Sequence, residues 1–261
     1  MPTSDAELAG IGVLVTRAAH QSAPLCELIR SHGGEPITFP ALEICGPENP
    51  ELTRSQLDRL DHFGLAIFIS PNAVNHGLAA LEDKAQLNGL KIATVGKSTA
   101  RTLEQAGLAV DIAPTSRFDS EALLERPELQ QVKGLQIIIF RGNGGRTLLG
   151  DTLQQRGAAV TYAEVYRRTC PAADPAELLN SWPTKVQIVT TTSIDILNNL
   201  VTLLGRKGVD KLRNTPLLVV SRRMQSAAQK LGCRNIILAQ RADDPSIVEA
   251  LCTWAATKKP P

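Results

Sequence analysis

The chain has 261 residues, 43% hydrophobic, 21% charged and only 3% aromatic, and 28 basic against 26 acidic side chains leave a net charge of +2. That length suits two domains of roughly 100–150 residues, and the apolar share excludes wholesale disorder. The near-neutral balance excludes a global basic field for nucleic acid, and five cysteines with no C-x-x-C pair point to reduced thiols rather than a disulfide frame or a zinc site.

The chain opens on MPTSDAELAG, acidic ahead of a short apolar run that stops at Arg17, so a secretory signal is not expected. No run approaches the ~20 apolar residues that span a bilayer, and a cytoplasmic protein without membrane contact is the expectation. Short apolar runs then recur along the chain: IGVLVT (11–16), LAIFIS (65–70), KIATVG (91–96), LQIIIF (135–140), VQIVTT (186–191), PLLVVS (216–221) and NIILA (235–239). Between them lie helix-period stretches such as QSAPLCELIRSHGG (21–34), closed by glycines as helices are. Two-sided apolar strands alternating with helices predict a parallel, doubly wound α/β protein.

The chain also repeats itself. VLVTR (13–17) matches IIIFR (137–141), IFISPNAVNHGL (67–78) matches VTTTSIDILNNL (189–200), and TVGKSTARTLEQAG (94–107) matches the stretch from Val219 to Gly232. The three matches fall in one order at a spacing of about 122–125 residues, which predicts two copies of one α/β unit. Two extended segments, GEPITFPALEI (34–44) and AVTYAEVYRRT (159–169), are where the chain is expected to pass between domains, giving a two-domain clamp around a cleft. Ligands of open α/β sheets bind beyond the carboxyl ends of strands, so the polar turns there are the expected site.

Several cofactor motifs are present only in broken form. VGKSTA (95–100) lacks the first glycine of a phosphate loop, because position 91 is Lys. Its Gly96, Lys97, Ser98 and Thr99 remain either a helix start with a solvated lysine or a generic anion site. In RGNGGRTLLG (141–150), Thr147 breaks the dinucleotide fingerprint, leaving a tight turn whose amides at Gly142 and Asn143 can hold a carboxylate. His20, His32, His62 and His76 are scattered, and no catalytic or metal motif includes them. Asp243-Asp244 before Pro245 reads as a turn or helix cap.

Arg17 and Arg141 follow buried strands at equivalent places in the repeats; each is either a rim salt bridge or a carboxylate fork. Arg222-Arg223 stands at a similar turn. Tyr162 and Tyr166 are the only tyrosines, and their even spacing in a strand puts both on one face.

Taken together, VLVTR (13–17), IFISPNAV (67–74), VGKSTARTLEQAG (95–107), IIIFRGNGGRTLL (137–149) and AEVYRR (163–168) resemble the uroporphyrinogen-III synthase family over about 11–251. The resemblance implies two flavodoxin-like parallel-sheet domains related by internal duplication and joined by two extended β linkers. Domain one would comprise 1–37 and 170–261, domain two 45–162, and the linkers 38–44 and 163–169. It implies a cyclising, dehydrating enzyme of tetrapyrrole synthesis, acting on hydroxymethylbilane with no metal or organic cofactor. A monomer is expected, with a transient encounter with the enzyme that supplies the substrate. Site residues implied are Tyr166, within the pattern Glu164-Val165-Tyr166-Arg167, as general acid. Substrate contacts fall to Arg17, Ser70, Asn72, Ala73, Gly96, Lys97, Ser98, Thr99, Arg141, Gly142, Asn143, Thr192, Ser193 and Ser221. A phenol is protonated at neutral pH and can donate to a departing hydroxyl. This chain departs from the family pattern at Ala18, where proline is common, and in SRRMQ (221–225), which puts Ser221, Arg223 and Met224 where glycine and threonine are usual. The alternative reading is a non-enzymatic two-domain small-molecule-binding protein, which the architecture alone would fit.

Overall fold

A computed structural model describes residues 7–258; the first six residues of the acidic opening and the end of the C-terminal tail lie outside the described residues. In chain order the elements are β1 (Gly12–Val15), α1 (Ala19–Ser31), β2 (Glu35–Thr38), β3 (Glu43–Cys45), α2 (Pro50–Leu57), β4 (Leu65–Phe68) and α3 (Pro71–Ala80). Then come β5 (Lys91–Thr94), α4 (Lys97–Gln105), α5 (Ser120–Leu124), β6 (Gln136–Gly142), α6 (Leu148–Gln155) and β7 (Ala159–Thr169). The chain finishes with α7 (Ala176–Lys185), β8 (Ile188–Thr190), α8 (Ile194–Asn214), β9 (Leu217–Val219), α9 (Arg222–Lys230), β10 (Ile236–Leu238) and α10 (Asp244–Ala256). Inside α8, Gly205 takes φ 59°, which breaks the helix into two segments.

The chain divides into two compact units, one of residues 1–43 and 169–261, the other of residues 44–168. The first is a five-stranded sheet in the order β10-β9-β8-β1-β2, with parallel pairing between β1 and β2, β1 and β8, β8 and β9, and β9 and β10. Strand parity explains why its runs read as apolar throughout. Leu14, Val189, Leu217 and Val219 face α7, α8 and α9, whereas Val13, Val15, Ile188 and Leu218 face α1 and α10. Successive side chains of a strand serve opposite layers, so central strands covered on both faces carry apolar residues at nearly every position, whereas the edge strand β2 keeps Glu35 and Thr38 exposed.

The second unit has the order β3-β7-β6-β4-β5, with parallel pairing of β4 to β5 and β6, and of β6 to β7. Ala66, Phe68, Ile138 and Phe140 pack with α2, α3 and α4; Leu65, Ile67, Ile137 and Ile139 pack with α5 and α6. The Phe68 and Phe140 rings stack at 4.4 Å between centroids. Truncating either fully buried ring to alanine would cost about 3–5 kcal/mol.

Strand β7 corrects two expectations. Residues 163–166 are not an extended linker but hydrogen-bonded sheet, because Ala163, Glu164 and Tyr166 pair with Phe140, Arg141 and Gly142. The register slips between Arg141 and Gly142. Such a bulge inserts one residue and reverses strand parity beyond it. Tyr162 therefore packs with the α5–α6 layer and Tyr166 with the α2–α4 layer, so the two tyrosines do not share a face.

Candidate active site

In a doubly wound sheet the ligand crevice opens where neighbouring strands send their crossovers in opposite directions. In residues 44–168 that point lies between β6, whose chain proceeds through α6 to β7, and β4, whose chain proceeds through α3 to β5. Ser70 and the stretch 141–143 lie at the carboxyl ends of those two strands.

Tyr166 is 5% exposed. Its hydroxyl lies 3.2 Å from Ser70 Oγ, and either oxygen can donate. Its ring sits 5.5 Å from that of His76 and lies on Gly142, where an added Cβ would come within 2.5 Å of the ring. A ring with a wet edge, as a linker residue would have, is thus replaced by a buried one. Only glycine at position 142 lets the ring lie there.

Arg141 is also 5% exposed, and no carboxylate among the described residues pairs with it. Its guanidinium carbon stands 4.8 Å over the Tyr162 ring, and its Nε donates to the Gly142 carbonyl at 3.1 Å. Stacking on the ring holds the planar fork without neutralising it. Burial pushes the Tyr162 phenol up from its ordinary value, and Arg141 pulls against it.

These groups border a recess of about 250 Å³ lined by Arg141, Arg146, Arg168, Tyr162 and Tyr166 together with Gly142, Gly144 and Gly145. Gly144 and Gly145 take φ of 63° and 93°, a left-handed turn closed to most side chains. Asn143 braces the floor: its Oδ1 accepts from the Arg168 N–H at 2.9 Å, and its own N–H donates to the Tyr166 carbonyl at 3.0 Å.

Of the residues expected here, Arg141, Gly142 and Tyr166 line the recess, and Ser70 reaches it through the Tyr166 phenol. Ser70 Oγ also caps α3 by accepting from the Ala73 N–H at 3.1 Å, with Asn72 half-buried in the same turn. Gly96, Lys97, Ser98 and Thr99 open α4 but do not line the recess; Lys97 Nζ stands 4.7 Å over the Phe118 ring, and Thr99 is buried. Arg146 and Arg168 were not singled out from the sequence. The adjacent basic residues after Tyr166 and the broken glycine turn were the only hints of them.

In the unit of residues 1–43 and 169–261 the corresponding turns are differently occupied. Arg17 pairs with Asp244 in the first turn of α10, so its fork is already neutralised. Asp243 caps that helix through the Ser246 N–H. The Ser193 and Ser221 hydroxyls cap α8 and α9 by accepting from Ile196 and Met224 N–H groups. Thr192 is half-buried beside Ser193, Thr16 and Thr190 bond to neighbouring strands, and the buried Thr191 Oγ1 finds no partner among the described residues.

Parallel sheets covered by helices, with a cationic, phenol-bearing recess at the strand ends, place the protein in the doubly wound α/β class that holds small ligands at that edge. A family model described as uroporphyrinogen-III synthase HemD matches residues 23–249. The chain is 34% identical over 246 residues to the uroporphyrinogen-III synthase of Escherichia coli (strain K12), covering 92% of this chain and 100% of that protein. It is 34% identical over 247 residues to the synthase of Salmonella typhimurium, again covering 92% and 100%. In fold it matches the uroporphyrinogen-III synthetase of Helicobacter pylori 26695 with a TM-score of 0.63 at 15% identity, over 94% of this chain and 99% of that one. A mutant uroporphyrinogen III synthase of the extreme thermophile Thermus thermophilus matches with a TM-score of 0.61 at 19% identity, over 95% and 100%. The chain belongs to the uroporphyrinogen-III synthase family, and is a cyclising lyase of haem biosynthesis.

Proposed function

We propose that the protein closes hydroxymethylbilane into uroporphyrinogen III, releasing one water and inverting the last pyrrole ring, and that the recess bearing Arg141 and Tyr166 carries the reaction. The observation behind this reading is a buried arginine with no acidic partner among the described residues, stacked on Tyr162 in a recess that Tyr166 also lines. A guanidinium fork is the natural complement of a carboxylate, and the substrate is a chain of carboxylate-bearing pyrroles. Arg168 lines the same recess, as does Arg146, whose exposed guanidinium pairs with Glu121 at 3.3 Å.

The chemistry asks little of the protein beyond positioning. The terminal pyrrole is electron-rich, so its nitrogen lone pair helps to expel the hydroxyl on the adjacent methylene carbon. The C–O bond breaks with its electron pair on oxygen, and a proton completes the leaving water. The Tyr166 phenol is the donor, with Ser70 Oγ next to it as a relay. The substituted α-carbon of the last pyrrole attacks the resulting methylene to give a spiro intermediate. The bond from that carbon to the original methylene bridge then breaks, and the bridge re-bonds at the free α-carbon, which inverts the ring. Loss of the proton there, returned to the phenolate, restores aromaticity. Nothing is oxidised or reduced, so the step needs no redox cofactor. Choice of the attacked carbon follows from how the bound carboxylates fold the chain.

The finer architecture is part of the same proposal. Two flavodoxin-like domains arise from one duplicated unit, with 1–37 and 170–261 forming one, 45–166 the other, and 38–44 and 167–169 joining them. The order β2-β1-β8-β9-β10, and the order β7-β6-β4-β5 on starting from β6, support a common ancestor with the chain entering at different points.

Hydroxymethylbilane generated in situ, incubated with the purified chain, oxidised and resolved by isomer tests the function. Type III product is the expected result. Type I product alone, from closure in free solution, would leave only a binding protein.

A further inference from the structure

Away from the strand-end turns, Glu7, His32 and Cys252 come together from three separate elements, with one ligand atom of each within 4.8 Å of the others. Cys252 lies in α10, His32 follows the last turn of α1, and Glu7 precedes β1. All three line one recess with Glu249. The cluster is held from outside: Leu8 is fully buried and its N–H donates to the His32 carbonyl at 2.9 Å.

The orientation of the imidazole is the second observation. His32 Nδ1 lies 2.9 Å from the Leu28 carbonyl oxygen. A carbonyl only accepts, so that contact places the proton on Nδ1, which also lies 3.2 Å from Ser31 Oγ, and leaves Nε2 as the ring atom able to ligate. A backbone carbonyl holding Nδ1–H is the arrangement that typically orients a metal-ligating histidine.

We propose that Glu7, His32 and Cys252 form a zinc-binding site that clips the segment before β1 to α1 and α10. Thiolate, imidazole and carboxylate together suit zinc and discriminate against magnesium and calcium, which take oxygen ligands. Bonds of about 2.0–2.3 Å place tetrahedral ligands about 3.5 Å apart, so closure needs roughly 1 Å of side-chain movement. Glu249 or water completes the fourth position. In the metal-free chain, burial and the hydrogen-bonded Glu7 carboxylate push the Cys252 thiol up to about 12. On binding, the thiol proton passes to solvent and the Glu7 oxygen turns from the thiol to the metal. No electron changes hands. The site is independent of the reaction proposed for the Arg141 recess.

Cobalt(II) added to the reduced, full-length chain is the probe, followed by zinc. One equivalent of cobalt should give a near-ultraviolet thiolate-to-cobalt charge-transfer band, which one equivalent of zinc should remove. Cys252→Ser should abolish the band, and His32→Gln and Glu7→Gln should each weaken zinc binding at least ~10-fold. Cys170→Ser, at an exposed cysteine, should change neither. Melting curves without metal establish that each variant folds, and Glu7→Gln, at an exposed side chain, serves if His32→Gln does not. Absence of the band, a band that survives Cys252→Ser, or zinc affinity unchanged in the folded variants would overturn the site.

Discussion

Tyr166→Phe removes one oxygen from a side chain that is 5% exposed and leaves its ring on Gly142 and beside His76. The lost contact is the 3.2 Å hydrogen bond to Ser70 Oγ. Ser70 Oγ still accepts from the Ala73 N–H and, on a half-buried residue, can turn its own proton to water, so the cost should be about 1 kcal/mol. For a chain of this size that lowers Tm by about 2–4 °C. A solvent-edged ring on a linker would have lost less than about 0.5 kcal/mol, so the melting temperature itself separates the two environments. General acid catalysis contributes ~10²–10⁴-fold, and the low end applies because the hydroxyl leaves readily and Ser70 Oγ can deliver a proton. The expected result is a kcat roughly 100-fold lower with KM and the type III outcome unchanged. The assay follows isomers from freshly generated hydroxymethylbilane under saturation, beside a thermal melt. Wild-type kcat in a variant that melts lower would remove Tyr166 as the acid and leave it a packing residue.

Two further outcomes follow from the geometry. Ser221→Ala should cost about 1 kcal/mol through loss of the α9 cap, with KM unchanged, because the hydroxyl is engaged by the Met224 N–H; a raised KM in an undiminished fold would return Ser221 to the substrate. Tyr162 titrates above its ordinary value of 10.0 when folded, so its contribution is complete below that pH and is lost as pH rises through the folded value. Urea unfolding of wild type and Tyr162→Phe at pH 9 and pH 11 should show the wild type losing more stability across that interval, and parallel losses would refute the shift.

The strands were legible because the central strands of a sheet covered on both faces need apolar side chains at successive positions, as in Gly12–Val15, Leu65–Phe68 and residues 137–140. Their helix starts were legible too, through Ser70, Ser193 and Ser221, but the sequence could not say that these hydroxyls serve the helix rather than a ligand. The bulge beside Gly142 was hidden, because nothing local in AEVYRR marks the inserted residue, and every face assignment beyond it reversed. Arg17 and Arg141 look equivalent along the chain; what separates them is Asp244, 227 residues from Arg17 in sequence and in contact with it in the fold. The Glu7, His32 and Cys252 cluster was invisible for the same reason, since metal motifs are recognised by short spacing and these three residues come from opposite ends of the chain.

That difference between the two arginines is the most direct test of where the reaction takes place. Arg141→Gln should lower kcat/KM by about 10- to 150-fold, mainly through KM, as loss of a charged hydrogen bond worth about 1.5–3 kcal/mol requires. Arg17→Gln should leave KM near wild type and instead lower Tm, by about 2–4 °C for each kcal/mol lost with the Asp244 ion pair. Steady-state kinetics of both variants on hydroxymethylbilane, with thermal melts alongside, decide it. A raised KM in Arg17→Gln with an unaffected Arg141→Gln would contradict the assignment of the recess and place substrate recognition in the unit of residues 1–43 and 169–261.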